Sequence, residues 1–260
     1  MYGAARVAVI VPAFRVQAWI GRTLAGIPDF VDLIVVVNDA SPDETAAVVC
    51  SSDDPRIQLV THERNRGVGA AIATGYARAL DQGVDVLAVM AGDNQMFPGD
   101  LAGVIDPIVS GRADYVKGNR FLHPLWRQMP RGRRLAGKLL AAVTRSATGL
   151  SIDDSQCGYS ALAAQAATAI RWSDLWPRYG YPNDLLGMLA ARQLRVVDIP
   201  VRPVYQGEPS GIRPWHALVV LGVIARRWWL ERRRTSAAPS PNRSVTSLAA
   251  TPGAPDSGLG

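Results

Sequence analysis

The chain has 260 residues, 48% of them hydrophobic, enough to bury one substantial core and so to form a single domain with appendages. Two cysteines, Cys50 and Cys157, exclude a disulfide framework and a cysteine-based metal cluster, and they suit a reducing compartment. The net charge of +6 is unevenly spread: residues 1–116 carry 8 Lys/Arg against 14 Asp/Glu, whereas residues 117–260 carry 20 against 8.

The first apolar run, Val7–Val11, is too short for a signal peptide and leads into Pro12, so it reads as a buried strand. Short apolar runs of the same kind follow at Leu33–Val37, Ile57–Val60, Val84–Met90 and Tyr115–Val116. Helical spacing is expected between them, near Ala18–Ala25, Asp43–Cys50, Val68–Gln82 and Asp100–Val109. Asp43 and Glu44 would sit in the first turn of the second helix, where negative charge suits the helix dipole. This alternation of strand and helix argues an open, doubly wound α/β sheet.

After Gly118 the pattern changes. Eight basic residues and no acidic one lie between Lys117 and Leu150, a balance that fits nucleic acid, a membrane surface or an anionic substrate. Nucleic acid is not expected, because no recognition motif and no basic helix interleaved with aromatic stacking positions is present. Arg133–Thr148 reads as a basic amphipathic helix with Leu135, Leu139, Leu140 and Val143 on one stripe. A loop at Asp153–Gly158, helices near Ala163–Arg171 and Asp184–Arg192 and a strand at Val196–Ile199 complete the second half. The stretch Pro214–Arg234 is helical again, and its uncharged part is too short to span a bilayer. Trp228 and Trp229 among Arg226, Arg227 and Arg232–Arg234 suit a helix lying in the headgroup region; a terminal helix packed on the domain is the alternative. Residues 235–260, rich in Ser, Pro, Ala and Gly, read as a disordered tail.

The chemistry concentrates where strands open into loops, at the carboxyl edge of a parallel sheet. Asp93 and Gln95, in Ala91-Gly-Asp-Asn-Gln-Met-Phe-Pro98, offer a carboxylate and an amide carbonyl, ligands suited to Mg²⁺ or Mn²⁺ on a diphosphate. Pro12 and Phe14 end the first strand, and Asp39 ends the second with a carboxylate able to accept hydrogen bonds from a base or ribose. Asn65-Arg-Gly-Val-Gly-Ala-Ala71 opens a helix with a Gly-rich turn whose N–H groups, with Arg66, would lie near a nucleotide. His62, His123 and His216 have neither the spacing nor the neighbours of a metal or catalytic cluster.

In their order and spacing, VPAF, NDASPDET, NRGVGAA, GDNQMFP, KGNRF, DDSQCGYSAL and IPVRPVY resemble the family-2 inverting glycosyltransferases, which have the GT-A fold. The resemblance runs from about Arg6 to Gly211, and its last three segments are most similar to the branch that glycosylates polyprenyl phosphates, the dolichyl-phosphate mannose synthase type. It implies a GT-A mixed sheet flanked by helices over residues 1–213. Residues 1–116 would be the nucleotide-sugar half, residues 117–213 the acceptor half and residues 214–234 the interfacial helix.

It also implies that Pro12, Phe14 and Asp39 line the nucleoside pocket and that Asp93 and Gln95 ligate Mg²⁺ or Mn²⁺. Ala91 stands where the family's Asp-x-Asp element has its first Asp, and Asn38 replaces a commoner Asp. Arg120 would meet anionic substrate, and Arg134 the acceptor phosphate, with Arg131 and Arg133 as neighbours able to take that role. Asp154 and Gln156 match a loop beside the sugar, Asp184 an acidic residue near the reacting centre, Arg202 a further phosphate contact, and residues 205–210 a mobile acceptor-side loop.

The implied activity is transfer of a hexose from a nucleotide sugar to a polyprenyl phosphate, by a peripheral protein on the cytoplasmic face of a membrane. Two alternatives share the fold. One is a lipid or sugar hydroxyl acceptor, which needs a base such as Asp184 or Asp154; the other is a nucleotide-sugar-binding module without turnover. A dinucleotide enzyme would want G-x-G-x-x-G after the first strand, and Val11-Pro-Ala-Phe-Arg15 is not that.

Overall fold

The computed structural model describes residues 1–204 and 215–237. Seven strands form one mixed sheet: β1 (Val7–Ala13), β2 (Leu33–Asn38), β3 (Ile57–Thr61), β4 (Val86–Val89), β5 (Tyr115–Asn119), β6 (Ser160–Ala163) and β7 (Val196–Pro200). Their order is β3-β2-β1-β4-β6-β5-β7; β6 runs antiparallel to both its neighbours, and the remaining pairs are parallel. Among the described residues eight α-helices accompany it: α1 (Ile20–Gly26), α2 (Thr45–Cys50), α3 (Val68–Leu80), α4 (Leu101–Val109), α5 (Arg131–Thr148), α6 (Ala164–Thr168), α7 (Tyr181–Ala191) and α8 (Trp215–Ala237).

Period-two alternation divides the core into two layers. Val7, Val9 and Val11 of β1 face a layer with Ile20 and Leu24 of α1 and Leu101, Val104 and Ile105 of α4. Ala8 and Ile10 face the other, with Ile72 and Tyr76 of α3 and Leu185 and Leu189 of α7. Because β1 is covered on both faces, every residue in it is buried, as the unbroken apolar run predicts.

The sequence reading differs from the structure at three places. No element is expected at Ser160–Leu162, and Ala163 is expected to open a helix; instead the backbone of Ser160–Ala163 is claimed by ladders to β4 and β5. The second helix starts at Thr45, so Asp43 and Glu44 precede it. A boundary between halves at residue 116 falls inside β5, which sits in the same sheet as β1–β4.

The terminal helix α8 packs against α7 and α5, with Val220 and Ile224 meeting Leu140 in a third small core. No helix among the described residues is long and apolar enough to cross a membrane. The expected loop at 205–210 and the expected tail at 235–260, save for the end of α8, lie outside the described residues.

Candidate active site

The chain passes from β1 to β2 and β3 on one side, then returns to place β4 on the other. The carboxyl ends of β1 and β4 therefore flank a topological switch point, where open α/β sheets leave a crevice. Pro12 helps to open it. Lacking an N–H, it cannot donate to the chain after β4, and the β1–β4 ladder stops at Ile10–Val89. The chain leaves the sheet beyond Met90, tied back by the Gly92 N–H to the Pro12 carbonyl at 3.2 Å.

A cleft of about 480 Å³ lies there, lined by Pro12, Phe14, Asp39, Asp93, Arg178 and Tyr179 among others. Three non-glycine residues at its strand exits hold positive φ: Arg15 at 56°, Ala40 at 53° and Asn94 at 58°. Asn tolerates that region, whereas Arg and Ala each give up about 1–2 kcal/mol there, strain of the kind that collects at functional loops.

Asp39 is almost fully buried. Its Oδ1 accepts from the Arg66 N–H at 2.8 Å and meets His62 Nδ1 at 2.7 Å, while Oδ2 accepts from the Gly67 N–H at 2.7 Å. His62 is held from its other nitrogen by Thr74 Oγ1 at 3.0 Å. With Nδ1–H facing the carboxylate, Nε2 of the neutral ring accepts from that hydroxyl. His62 therefore orients Asp39, a role the sequence did not reveal because its partners are 23 and 12 residues away.

The Gly-rich turn has a different use from the one expected of it. The Arg66 and Gly67 N–H groups go to Asp39, and those of Gly69 and Ala70 go to the Pro177 carbonyl at 2.8 and 3.2 Å. These four N–H groups are thus taken up by protein. The glycines are there for close approach. A Cβ on Gly67, whose φ is +96°, would lie 2.5 Å from the Pro177 oxygen, and one on Gly69 would lie 2.3 Å from the Trp176 oxygen. The Arg66 side chain is exposed and is not among the cleft's lining residues.

NDASPDET stitches two loops together. Asp43 accepts from the Ser41 and Thr45 hydroxyls at 2.5 and 2.6 Å and from the Gln17 N–H at 3.3 Å; Ser41 Oγ accepts from the Arg15 N–H. Burial works to raise the Asp43 pKa, but these donors outweigh it and lower the pKa to about 2.

On the loop after β4, Asp93 faces the cleft and its Oδ1 accepts the Gln95 N–H at 3.1 Å. A carboxylate and an amide carbonyl on one loop fit a hard divalent cation whose other positions are filled by diphosphate oxygens and water. Among the described residues no three His, Cys, Asp or Glu side chains gather to hold an ion by themselves. Arg202 lies beside this loop: its guanidinium covers the Phe97 ring at 4.0 Å and its N–H meets Asp100.

The charged residues after β5 are paired with one another. Arg120 grips Asp154 through Nε at 2.7 Å and Nη2 at 2.9 Å, and Asp154 has no solvent exposure. Burial alone would raise the Asp154 pKa, but Arg120 and, more weakly, Lys117 hold it below the usual carboxylate range. Asp154 therefore orients Arg120. Lys117, also fully buried, donates to the Cys157 carbonyl of the same loop. Gln156 donates to Asn183 at 2.7 Å, and Asn183 to Thr144 at 2.7 Å, a chain leading inward to α5 and α7.

Asp184 is corrected in the same way. It is fully buried, and Arg227 of α8, itself 2% exposed, grips both its oxygens at 2.9 and 2.7 Å; the Trp176 N–H adds a third bond at 2.8 Å. A carboxylate so engaged holds α8 to α7 and has no access to a substrate proton.

Arg131, Arg133 and Arg134 occupy the first turn of α5, which has no acidic residue and no side-chain cap. Arg134 stacks over Trp126 at 5.3 Å, as Lys138 does at 5.6 Å. Tyr179 connects this cluster to the cleft. Burial pushes its hydroxyl up, and the nearby charges of Arg120 and Arg133 pull part of that back.

The model of glycosyl transferase family 2 matches residues 8–140. The UDP-N-acetylglucosamine–dolichyl-phosphate N-acetylglucosaminyltransferase of Methanococcus voltae is 25% identical over 213 residues, covering 76% of this chain and 85% of that protein. The undecaprenyl-phosphate mannosyltransferase of Micrococcus luteus is 28% identical over 203 residues, covering 75% and 82%. Among solved structures, glucosyl-3-phosphoglycerate synthase from Mycobacterium tuberculosis, in complex with Mn²⁺, UDP and glucosyl-3-phosphoglycerate, superimposes with a TM-score of 0.68 at 19% identity over 87% of this chain and 81% of that one. With more than half of the chain matched by the family model and a switch-point cleft at its strand tips, the protein belongs to glycosyl transferase family 2 and is a glycosyltransferase of the GT-A fold.

Proposed function

We propose that the protein moves a hexose from a nucleoside-diphosphate sugar to a polyprenyl phosphate, with inversion, using Mg²⁺ or Mn²⁺, at the cytoplasmic face of a membrane. The observation that carries this reading is one shared residue: Tyr179 lines the Asp93 cleft and lies within electrostatic reach of Arg120 and Arg133. A donor site and an anion-seeking cluster thus adjoin.

The donor side binds by shape and by oxygen ligands. Phe14, 40% exposed, offers an aromatic face to a base, and Asp93 with Gln95 would hold the cation. When bound, the cation supplies Lewis-acid stabilisation of the departing diphosphate. The acceptor side binds by charge. Three arginines at the positive end of an 18-residue helix repel its dipole and one another, and a phosphate placed there offsets both. Arg120, fixed by Asp154, and Arg134 hold the acceptor oxygen in line with the anomeric carbon. That oxygen is already anionic at neutral pH, so its attack needs no proton removed. The burial and pairing of Asp154 and Asp184, the two base candidates, favour this acceptor over a hydroxyl.

The membrane reading is supported by side chains left in solvent. Leu135 and Leu139 on α5, and Leu218, Trp228 and Trp229 on α8, are exposed, and Arg232 and Arg233 cover the two indoles at 3.9 and 3.7 Å. UDP- and GDP-sugars supplied with Mn²⁺ to a short polyprenyl phosphate, and in parallel to the neutral polyprenol, test the acceptor. Transfer to the phosphate alone, abolished by a chelator, is expected; equal transfer to the polyprenol would overturn the reading.

A further inference from the structure

Residues 176–181, just before and entering α7, bring Arg178 and Tyr179 to one wall of the cleft, and they are fixed at several points. The Pro177 carbonyl takes two N–H groups from the start of α3. The Trp176 N–H is held by Asp184, and its indole N–H donates to the Tyr179 carbonyl at 2.9 Å. Asp184 is in turn clamped by Arg227. This frame presents Arg178 to the cleft, with the stem of the side chain against Gly67: a Cβ there would come 2.8 Å from Arg178 Cγ. Gly67 is thus needed for the stem of Arg178 as well as for the turn.

Among the described residues Arg178 is the one cationic side chain lining this cleft; the other charged lining groups are Asp39 and Asp93. Asp39 is occupied by His62 and two N–H groups, and Ala91 contributes no charge. The cleft therefore offers one carboxylate loop for a cation and, on a separate wall, one guanidinium, which is exposed. A planar fork of N–H donors matches the paired oxygens of a diphosphate, which a lone carboxylate with its cation neutralises only in part.

We propose that Arg178 binds the diphosphate of the donor, and that it holds the negative charge gathering there as the bond to the anomeric carbon breaks. The inference rests on the donor reading above and adds a residue to it. Arg178 takes no proton and forms no covalent bond; it binds the leaving group more tightly as charge develops, so it acts on turnover as well as on affinity.

Calorimetric titration with UDP and UMP, and with GDP and GMP, each with Mn²⁺, separates the two claims. Wild-type protein that binds neither diphosphate sinks the donor reading and this inference together. Given binding, Arg178→Gln keeps the stem against Gly67 and removes the charge. It is expected to weaken the diphosphate by about tenfold to a hundredfold while the monophosphate changes far less, so that the ratio between them collapses. Arg178→Lys should recover part of that ratio. General damage to the cleft would weaken both nucleotides alike, and a diphosphate-to-monophosphate ratio unchanged in Arg178→Gln would overturn the assignment.

Discussion

The switch-point cleft and the interior between α5, α7 and α8 use the same charged residue types in opposite ways. Around the cleft, Asp39 and Asp43 accept from backbone N–H and hydroxyl groups and so fix loops, while Asp93 faces the ligand space. In the interior, Asp154 and Asp184 are buried against guanidinium groups, Asp154 fixing Arg120 and Asp184 joining α7 to α8. Asp93 lies on a loop that lines the cleft, whereas Asp154 and Asp184 lie in the interior, each gripped by a guanidinium. Residue type alone does not distinguish the two cases; burial of the carboxylate against an arginine does.

The sharpest break in that comparison is Asp93→Ala. If Asp93 is the donor half's ligand carboxylate, with Ala91 unable to substitute, turnover should fall by at least about a hundredfold, while thermal unfolding stays where it was. Initial rates with saturating nucleotide sugar and Mn²⁺ check it. Activity near that of the wild type would remove the cation site from this loop.

Asp184→Ala should do the reverse. It strips the buried Arg227 of the carboxylate that grips it twice, leaving it Glu231 and the Asp174 carbonyl, which costs about 3 kcal/mol and lowers Tm by roughly 10 °C. Replacing both partners, as in Asp184→Leu with Arg227→Met, should recover most of that loss, because two apolar side chains need no solvation. If the double variant is no more stable than Asp184→Ala, the pair is worth more than its packing and the comparison needs a different physical basis.

These cases also show what was legible in the sequence. The strand tips were legible because a parallel sheet places its chemistry at one edge, so Pro12, Phe14, Asp39 and Asp93 could be assigned to one place from order alone. Their uses were less legible. Asp39 has His62 as a partner 23 residues on, and the N–H groups of the Gly-rich turn go to Asp39 and Pro177, contacts that no local spacing encodes. Asp184 reads as a good first-turn residue of a helix, and it is one; its ion partner lies 43 residues away on a helix whose arginines read as a surface feature. The strand at Ser160–Ala163 is illegible for a related reason: it is four residues long, and the ladders to β4 and β5 that make it a strand are long-range.

Arg134→Ala makes a smaller change on the acceptor side. Its guanidinium is partly supported by the Trp126 ring and has Arg131 and Arg133 as neighbours in the same turn, so no single one of them carries the whole charge. The KM for polyprenyl phosphate should rise by about tenfold with the donor KM unchanged. A rise in the donor KM instead would move this cluster to the other side of the reaction.

The smallest effect separates the two carboxylate environments by pH. Asp43 is held at about 2 by hydroxyl and N–H donors against an ordinary value near 3.8, so its folded pKa is the depressed one. Its contribution to stability is complete above the unfolded value and is lost as pH falls from about 4 through about 2. Asp154 is also depressed, so it is lost in the same direction, but its proton must enter a buried pair with Arg120. Asp43→Asn should therefore flatten only part of the acid limb of a stability–pH curve. Nucleotide affinity should fall less steeply in Asp43→Asn than in the wild type as pH falls through about 2, because in the variant the loops after β1 and β2 no longer depend on a titrating group. An acid limb unchanged in Asp43→Asn would mean that the interior carboxylates, not the stitched loops, set the protein's response to acid.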